Sequence, residues 1–147
     1  MKITSRFTIA LHIISAIDYF KDREKVTSNF LAGSVGVNPV IVRNIMGNLK
    51  DASIIDVSQG KSGIRIAMSL DEITFYDIYR AVDNTGEEGI FRFHDKPNEK
   101  CPVGRNIHRA VDEKLHIIQH AMEFEMKQIT LASVVEDIRG EILKEKI

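Results

Sequence analysis

The chain has 147 residues, enough for one compact domain with an appended element and too few for two full-sized domains with separate cores. Hydrophobic residues make up 44%, charged residues 28%, and only three prolines occur, a composition that argues against intrinsic disorder. The net charge of −1 argues against nonspecific coating of nucleic acid, but the charge is uneven: residues 1–70 carry nine Lys/Arg against five Asp/Glu, residues 71–147 eleven against sixteen, which suits a phosphate-facing front and a solvated rear.

From about Ser5 to Lys21, Phe7, Ala10, Leu11, Ile14 and Ile17 recur at helical spacing, and Thr4 or Ser5 can cap the helix they predict. The apolar stretch 9–17 has the length of a signal h-region. It contains a histidine, however, and no small-residue cleavage site follows, so a cytoplasmic protein is expected. No apolar run approaches the ~20 residues that span a bilayer, and no membrane partner is expected. Thr27 or Ser28 offers the cap of a short second helix that runs into Gly36. In Gly36-Val37-Asn38-Pro39, Gly permits the turn, Asn38 can cap the next helix and Pro39 suits its first position. The third helix, Pro39 to about Ala52, sends Ile41, Val42, Ile45, Met46 and Leu49 inward and leaves Val40, Arg43, Asn44, Gly47, Asn48 and Lys50 largely outside. Two short helices joined by a tight turn, the second with a polar face, predict a helix-turn-helix.

Two β-prone runs, 54–58 and 64–68, flank the Gln59-Gly60-Lys61-Ser62-Gly63 loop and predict a hairpin, the wing of a winged helix, with Lys61 and Arg65 able to reach phosphate or a minor groove. Thr74 and Asp77 form a capping-box pattern before Ile78, Ala81 and Val82. Residues Asn84 to Gly104 lack periodicity and hold three Gly and two of the three Pro, the main loop. Beyond it Ile107, Val111, Leu115, Ile118, Met122 and Ile129 predict a helix of roughly 25 residues, against an average of about 11–12. Such a stripe must be covered, either by a second copy of the chain or by the chain's own head. The expected fold is mainly α with a small β-hairpin wing: a winged helix-turn-helix domain over 1–83, a loop over 84–103, and a long dimerisation helix with a C-terminal segment over 104–147.

The opening Met-Lys-Ile-Thr-Ser-Arg-Phe, the Leu-Ala-Gly-Ser-Val-Gly-Val-Asn-Pro turn, the Val-Arg-Asn-Ile-Met-Gly-Asn-Leu-Lys helix and the Asp-Glu-Ile-Thr-Phe-Tyr-Asp-Ile-Tyr-Arg-Ala-Val segment resemble the Rrf2 family of bacterial transcriptional regulators. With Asn-Glu-Lys-Cys-Pro-Val-Gly before the long helix, the likeness extends to a short branch of that family and covers nearly the whole chain. The resemblance implies a homodimer whose long helices pack together and whose heads bind a palindromic operator in duplex DNA as a repressor. Carried over by matching position, Asn38, Val40, Arg43 and Asn44 enter the major groove, and Ser5 and Arg6 approach phosphate; Arg suits guanine and Asn adenine. The wing departs from the family's Gly-rich pattern through Lys61, Ser62 and Arg65.

Many members hold an iron–sulfur cluster on three cysteines near the start of the long helix. This chain has a single cysteine, Cys101, so that ligand set is absent and no cofactor is expected. One cysteine also excludes an intramolecular disulfide. Cys101 before the long helix is either a redox or electrophile sensor, its pKa lowered by helix N–H groups, or a packed loop cysteine. His116 and His120 are four apart, as a metal pair or as surface residues, with no third ligand placed. The Phe91-Arg92-Phe93-His94 run either lines an effector pocket or packs as a satellite core. No P-loop, dinucleotide-binding glycine motif, nucleophile elbow or zinc-protease helix occurs, so no catalysis is expected. The alternative to DNA binding is a winged-helix module that contacts protein only.

Overall fold

A computed structural model describes residues 3–57, 63–83, 90–91 and 93–146. In chain order it forms α1 (Ser5–Phe20), α2 (Ser28–Val35), α3 (Pro39–Asp51), β1 (Ile55–Val57), β2 (Ile64–Ile66), α4 (Phe75–Val82), α5 (Pro102–Gln128) and α6 (Leu131–Glu145). The caps explain most boundaries. Thr4, Thr27 and Asn38 accept backbone N–H bonds at the starts of α1, α2 and α3, and Pro39 occupies the first turn of α3. At α4 the Thr74 side chain accepts from Asp77 N–H while the Asp77 carboxylate accepts from Thr74 N–H, a reciprocal capping box.

Ala10, Ile13, Ile14 and Ile17 of α1 form the centre of the core. Around them pack Leu31 of α2, Val42, Ile45 and Leu49 of α3, and Ile78 and Tyr79 of α4. The strands pair antiparallel, Ile55 opposite Ile66 and Val57 opposite Ile64, with Ile55 and Ile64 facing the core. The hairpin expected after α3 is therefore present at its base. Its tip, with Lys61, falls in 58–62, outside the described residues. Ile41 is 40% exposed, contrary to the inward position its spacing suggests. Val42, Ile45, Met46 and Leu49 already make a continuous i, i+3, i+4, i+7 stripe against the core, and Ile41 lies about 100° off it.

The long helix ends earlier than its apolar spacing implies. Ile129 belongs to a two-residue extended link, not to the α5 stripe. Its carbonyl accepts from Phe75 N–H (2.9 Å), Thr130 forms an antiparallel bridge with Thr74, and Leu131 N–H donates to the Ile73 carbonyl (2.8 Å). Backbone pairing with the segment before α4 thus breaks the helix, and Thr130 caps α6. α6 then returns to the head: Leu131 is fully buried, and Arg139 reaches the buried Asp18 of α1 at 3.0 Å.

None of the α5 residues is buried. Of the expected stripe, Met122 packs against the head together with Met126, Ile107, Val111 and Leu115 are half-buried, and Ile118 is exposed; the row that faces outward is a different one, Val103, Ala110, Ile117 and Phe124, each seven residues from the next.

Candidate nucleic-acid interface

The α2–α3 corner is set by backbone chemistry. Gly36 takes φ +81°, the left-handed conformation that ends α2, and its N–H donates to the Ala32 carbonyl. Two residues later Asn38 begins α3 in extended backbone, its side-chain oxygen accepting from Val40 N–H at 2.8 Å. The turn fixes α3 across α2, and burial of Val42, Ile45, Met46 and Leu49 fixes its rotation. What remains outward is the face bearing Val40 (53% exposed), Arg43, Asn44 and Gly47, with the exposed Asn38 at its N-terminal end.

That face carries no acid in its first turn and presents one guanidinium, one carboxamide and one small apolar side chain. These are the groups that pair with guanine, with adenine and with a thymine methyl in a major groove. The sequence places Asn38, Val40, Arg43 and Asn44 together, and the structure brings all four to one exposed end of α3.

Arg43 and Gly47 also line a groove of about 470 Å³. Its other walls are Lys25, Val26, Thr27 and Ser28 on one side and Val57, Gly63 and Ile64 of the wing base on the other, with Met46 and Lys50 of α3. Gly63 is needed where it stands: φ is +65°, and a Cβ there would lie 2.6 Å from the Val26 carbonyl oxygen, which accepts the N–H of Ile64. Lys25 and Lys50 were not singled out by sequence as site residues: nothing in the local pattern of residues 21–28 indicates that Lys25 folds beside the third helix, and Lys50, on the outer side of that helix, lies at its far end from Asn38.

Arg65 is not part of this groove. It stands across the ribbon from Asp56, 3.8 Å away, and lines a separate depression with Ile17, Asp18 and Lys21. Ser5 is exposed at the start of α1; Arg6 is half-buried, its Nε donating to the Val82 carbonyl at 3.4 Å. Beside them the Thr4 hydroxyl donates to Asp83. Ser5 and Arg6 therefore sit at the α1–α4 junction.

At the other end of the molecule Cys101 is the N-cap position of α5. The N–H groups of Gly104 and Val103 lie close enough to lower the thiol pKa, without a side-chain cap hydrogen bond being closed. Phe93 packs edge-on against His108 (5.6–6.4 Å for its two histidine contacts) and His116, and the His94 ring lies 5.1 Å from that of His108. His116 and His120 do not act as a pair: His116 faces Phe93, and His120 is 3.7 Å from Glu123. Phe91 packs against the head core, while Arg92 is outside the described residues.

Comparison with known proteins places this geometry. The model of the Rrf2 family, described as iron-dependent transcriptional regulators, matches residues 3–137. A Bacillus subtilis (strain 168) protein carrying the provisional name HTH-type transcriptional regulator YwnA is 38% identical over 136 residues, 92% of this chain and 98% of that protein. A solved structure provisionally described as a DNA-binding protein shares 35% identity at a TM-score of 0.69, covering 88% of this chain and 98% of its own. A transcriptional regulator structure from Lactobacillus plantarum, provisionally so described, superposes with a TM-score of 0.76 at 24% identity, covering 99% and 97%, a likeness of fold. The iron in the family description does not fit this donor set: the chain has one cysteine, and among the described residues no three His, Cys, Asp or Glu side chains converge as metal ligands. With a helix-turn-helix, a wing base and a long C-terminal helix in the family's order, the chain belongs to the Rrf2 family of winged-helix transcriptional regulators.

Proposed function

We propose that this protein is a homodimer that binds a palindromic operator in duplex DNA and represses transcription, with the Asn38, Val40, Arg43 and Asn44 end of α3 in the major groove. The observation that carries this reading is that face itself: a capped helix N-terminus, free of acid, presenting base-reading side chains to solvent. Ser5, Arg6, Lys61 and Arg65 are the phosphate-contacting residues of the same proposal. The test is selection of bound genomic fragments followed by titration of the recovered duplex against salt. Specific binding that weakens as salt rises supports the reading, and no preference for any duplex over a scrambled one rejects it in favour of a protein-contacting module. Loss of reporter expression when the protein is supplied, with relief on its deletion, supports repression.

The homodimer rests on α5. A helix of 27 residues with none buried, and with Val103, Ala110, Ile117 and Phe124 exposed at seven-residue intervals, is a poor surface to leave in water and a suitable one to pair with its own copy. Two heads held by one symmetric contact match a palindrome.

Cys101 is the proposed sensor of oxidants or electrophiles in this regulator. Its thiol is half-exposed and biased toward thiolate by helix N–H groups, and it lies where the loop from the head meets α5. Operator binding measured for wild type and Cys101→Ser with and without peroxide decides it: a response in wild type that the variant lacks supports the assignment, and a response that persists in the variant removes it.

A further inference from the structure

We infer that the groove between α3, the start of α2 and the wing base seats one phosphodiester strand of bound DNA, with Lys25 and Lys50 as its phosphate contacts and the base-facing Arg43 at its edge. This rests on the DNA-binding reading above and names the part of the partner that the groove receives.

Geometry supplies the first step. With α3 in a major groove and the hairpin reaching the neighbouring minor groove, the strand of backbone that separates those two grooves must cross the surface between helix and hairpin. On this molecule that surface is concave, about 470 Å³, and its walls come from the three elements that would flank such a strand.

Charge supplies the second. Lys25, Arg43 and Lys50 are exposed, and all three line the groove from different directions, one from the segment before α2 and two from α3. No carboxylate is among the described lining residues, although the chain as a whole carries one more acid than base. The groove is thus locally cationic in a near-neutral protein, the condition under which a polyanion is held at one place without general stickiness.

The wall itself supplies the third. Ser28 opens α2, where the first N–H groups have no intrahelical acceptor and favour an anion. Met46, Val57 and Ile64 form an apolar floor that suits the carbon face of deoxyribose between successive phosphates. Thr27 is already committed, its hydroxyl oxygen accepting from Phe30 N–H, so it shapes the wall without contributing a contact.

The experiment is a salt titration of full-length protein by fluorescence anisotropy, on the selected operator duplex and on a scrambled duplex of equal length, for wild type, Lys25→Gln, Lys50→Gln and the charge-keeping Lys50→Arg. Each Gln variant is expected to flatten the slope of log affinity against log salt by about 0.9 on both duplexes, leaving the operator-to-scrambled ratio unchanged, and Lys50→Arg to restore the wild-type slope. A neutral methylphosphonate at the phosphate between the major-groove half-site and the adjacent minor groove should weaken wild type and leave Lys50→Gln unaffected. Unchanged slopes in both Gln variants, with wild type still binding the operator, overturn the seat while the DNA reading stands. Failure of wild type to bind either duplex overturns both. Displacement of operator by sodium benzoate at constant ionic strength, lost in Lys50→Gln, overturns the seat in favour of a small-anion pocket.

Discussion

Arg43 projects from the exposed face of α3 between Val40 and Gly47, where neither burial nor a cap explains it. Truncating it to Ala is expected to cost about 1–3 kcal/mol of operator affinity while leaving the thermal midpoint in place, since no core contact is lost. Equal affinity of variant and wild type for the selected operator would strike Arg43 from the readout set. His108 presents a different kind of residue-level effect. Its Nδ1 lies 3.0 Å from the Asp112 carboxylate, and that hydrogen bond, aided by the charges of Asp112 and Asp95 and the His94 carbonyl against a smaller opposing effect of desolvation, raises its pKa above 6.5. A raised folded-state value means the contact stabilises fully below the ordinary histidine pKa and loses that contribution as pH rises through the folded value. Hydrogen-exchange protection factors of the α5 amides around His108 and Asp112 should accordingly fall on moving upward through that range, and Asp112→Asn should abolish the dependence; protection factors independent of pH in wild type would contradict it.

At the scale of elements, α3 and α5 owe their faces to opposite circumstances. α3 buries Val42, Ile45, Met46 and Leu49, so its orientation is fixed and its outward side carries Arg43, Asn44 and Lys50 beside Val40 and Ile41. α5 buries nothing fully, and an apolar row, Val103, Ala110, Ile117 and Phe124, runs along its outward side among charged residues such as Arg109, Glu113 and Lys114. Glutamates at Ile117 and Phe124, which are 62% and 61% exposed, should leave the head folded because neither side chain enters its core. On the proposed dimer, the same pair should give a monomer in sedimentation and weaken operator binding, since a single half-site contact binds far less tightly. An unchanged dimer would move the interface elsewhere on the molecule. The helix of α5 was legible in the sequence from Ile107, Val111, Leu115, Ile118 and Met122, yet that most of this stripe turns toward the chain's own head while a second row with Ile117 and Phe124 faces outward was not, because periodicity gives a face and not its partner.

Across the whole molecule, the C-terminal helix closes onto the first. Leu131 is fully buried in the head core, Ala132 N–H donates to the Leu70 carbonyl, and the Arg139 guanidinium pairs with Asp18 while lying 5.5 Å from the Tyr19 ring centroid. α6 is thus a structural part of the head although α5 separates the two in sequence. Leu131→Ala is expected to cost about 2–5 kcal/mol, read as a lowered denaturant midpoint, because a buried methyl cluster is removed from a packed site. A loss below about 0.5 kcal/mol would mean that α6 does not anchor there.

The sequence by itself determined the helix-turn-helix and the outward placing of Val40, Arg43 and Asn44, though not that of Ile41. Caps such as Thr27, Asn38 and Thr74, the left-handed Gly36 and the 3.6-residue period all act within a few residues, so their consequences are local and readable. Tertiary structure decided the remainder. The break at Ile129 depends on hydrogen bonds to Phe75 and Ile73, more than fifty residues upstream; the one local mark of it, Thr130 as the cap of α6, lies within an apolar spacing that continues through Ile129. The cationic groove likewise exists only once Lys25, Lys50 and the Gly63 strand are folded side by side, since each lysine in its own segment is an ordinary solvated charge.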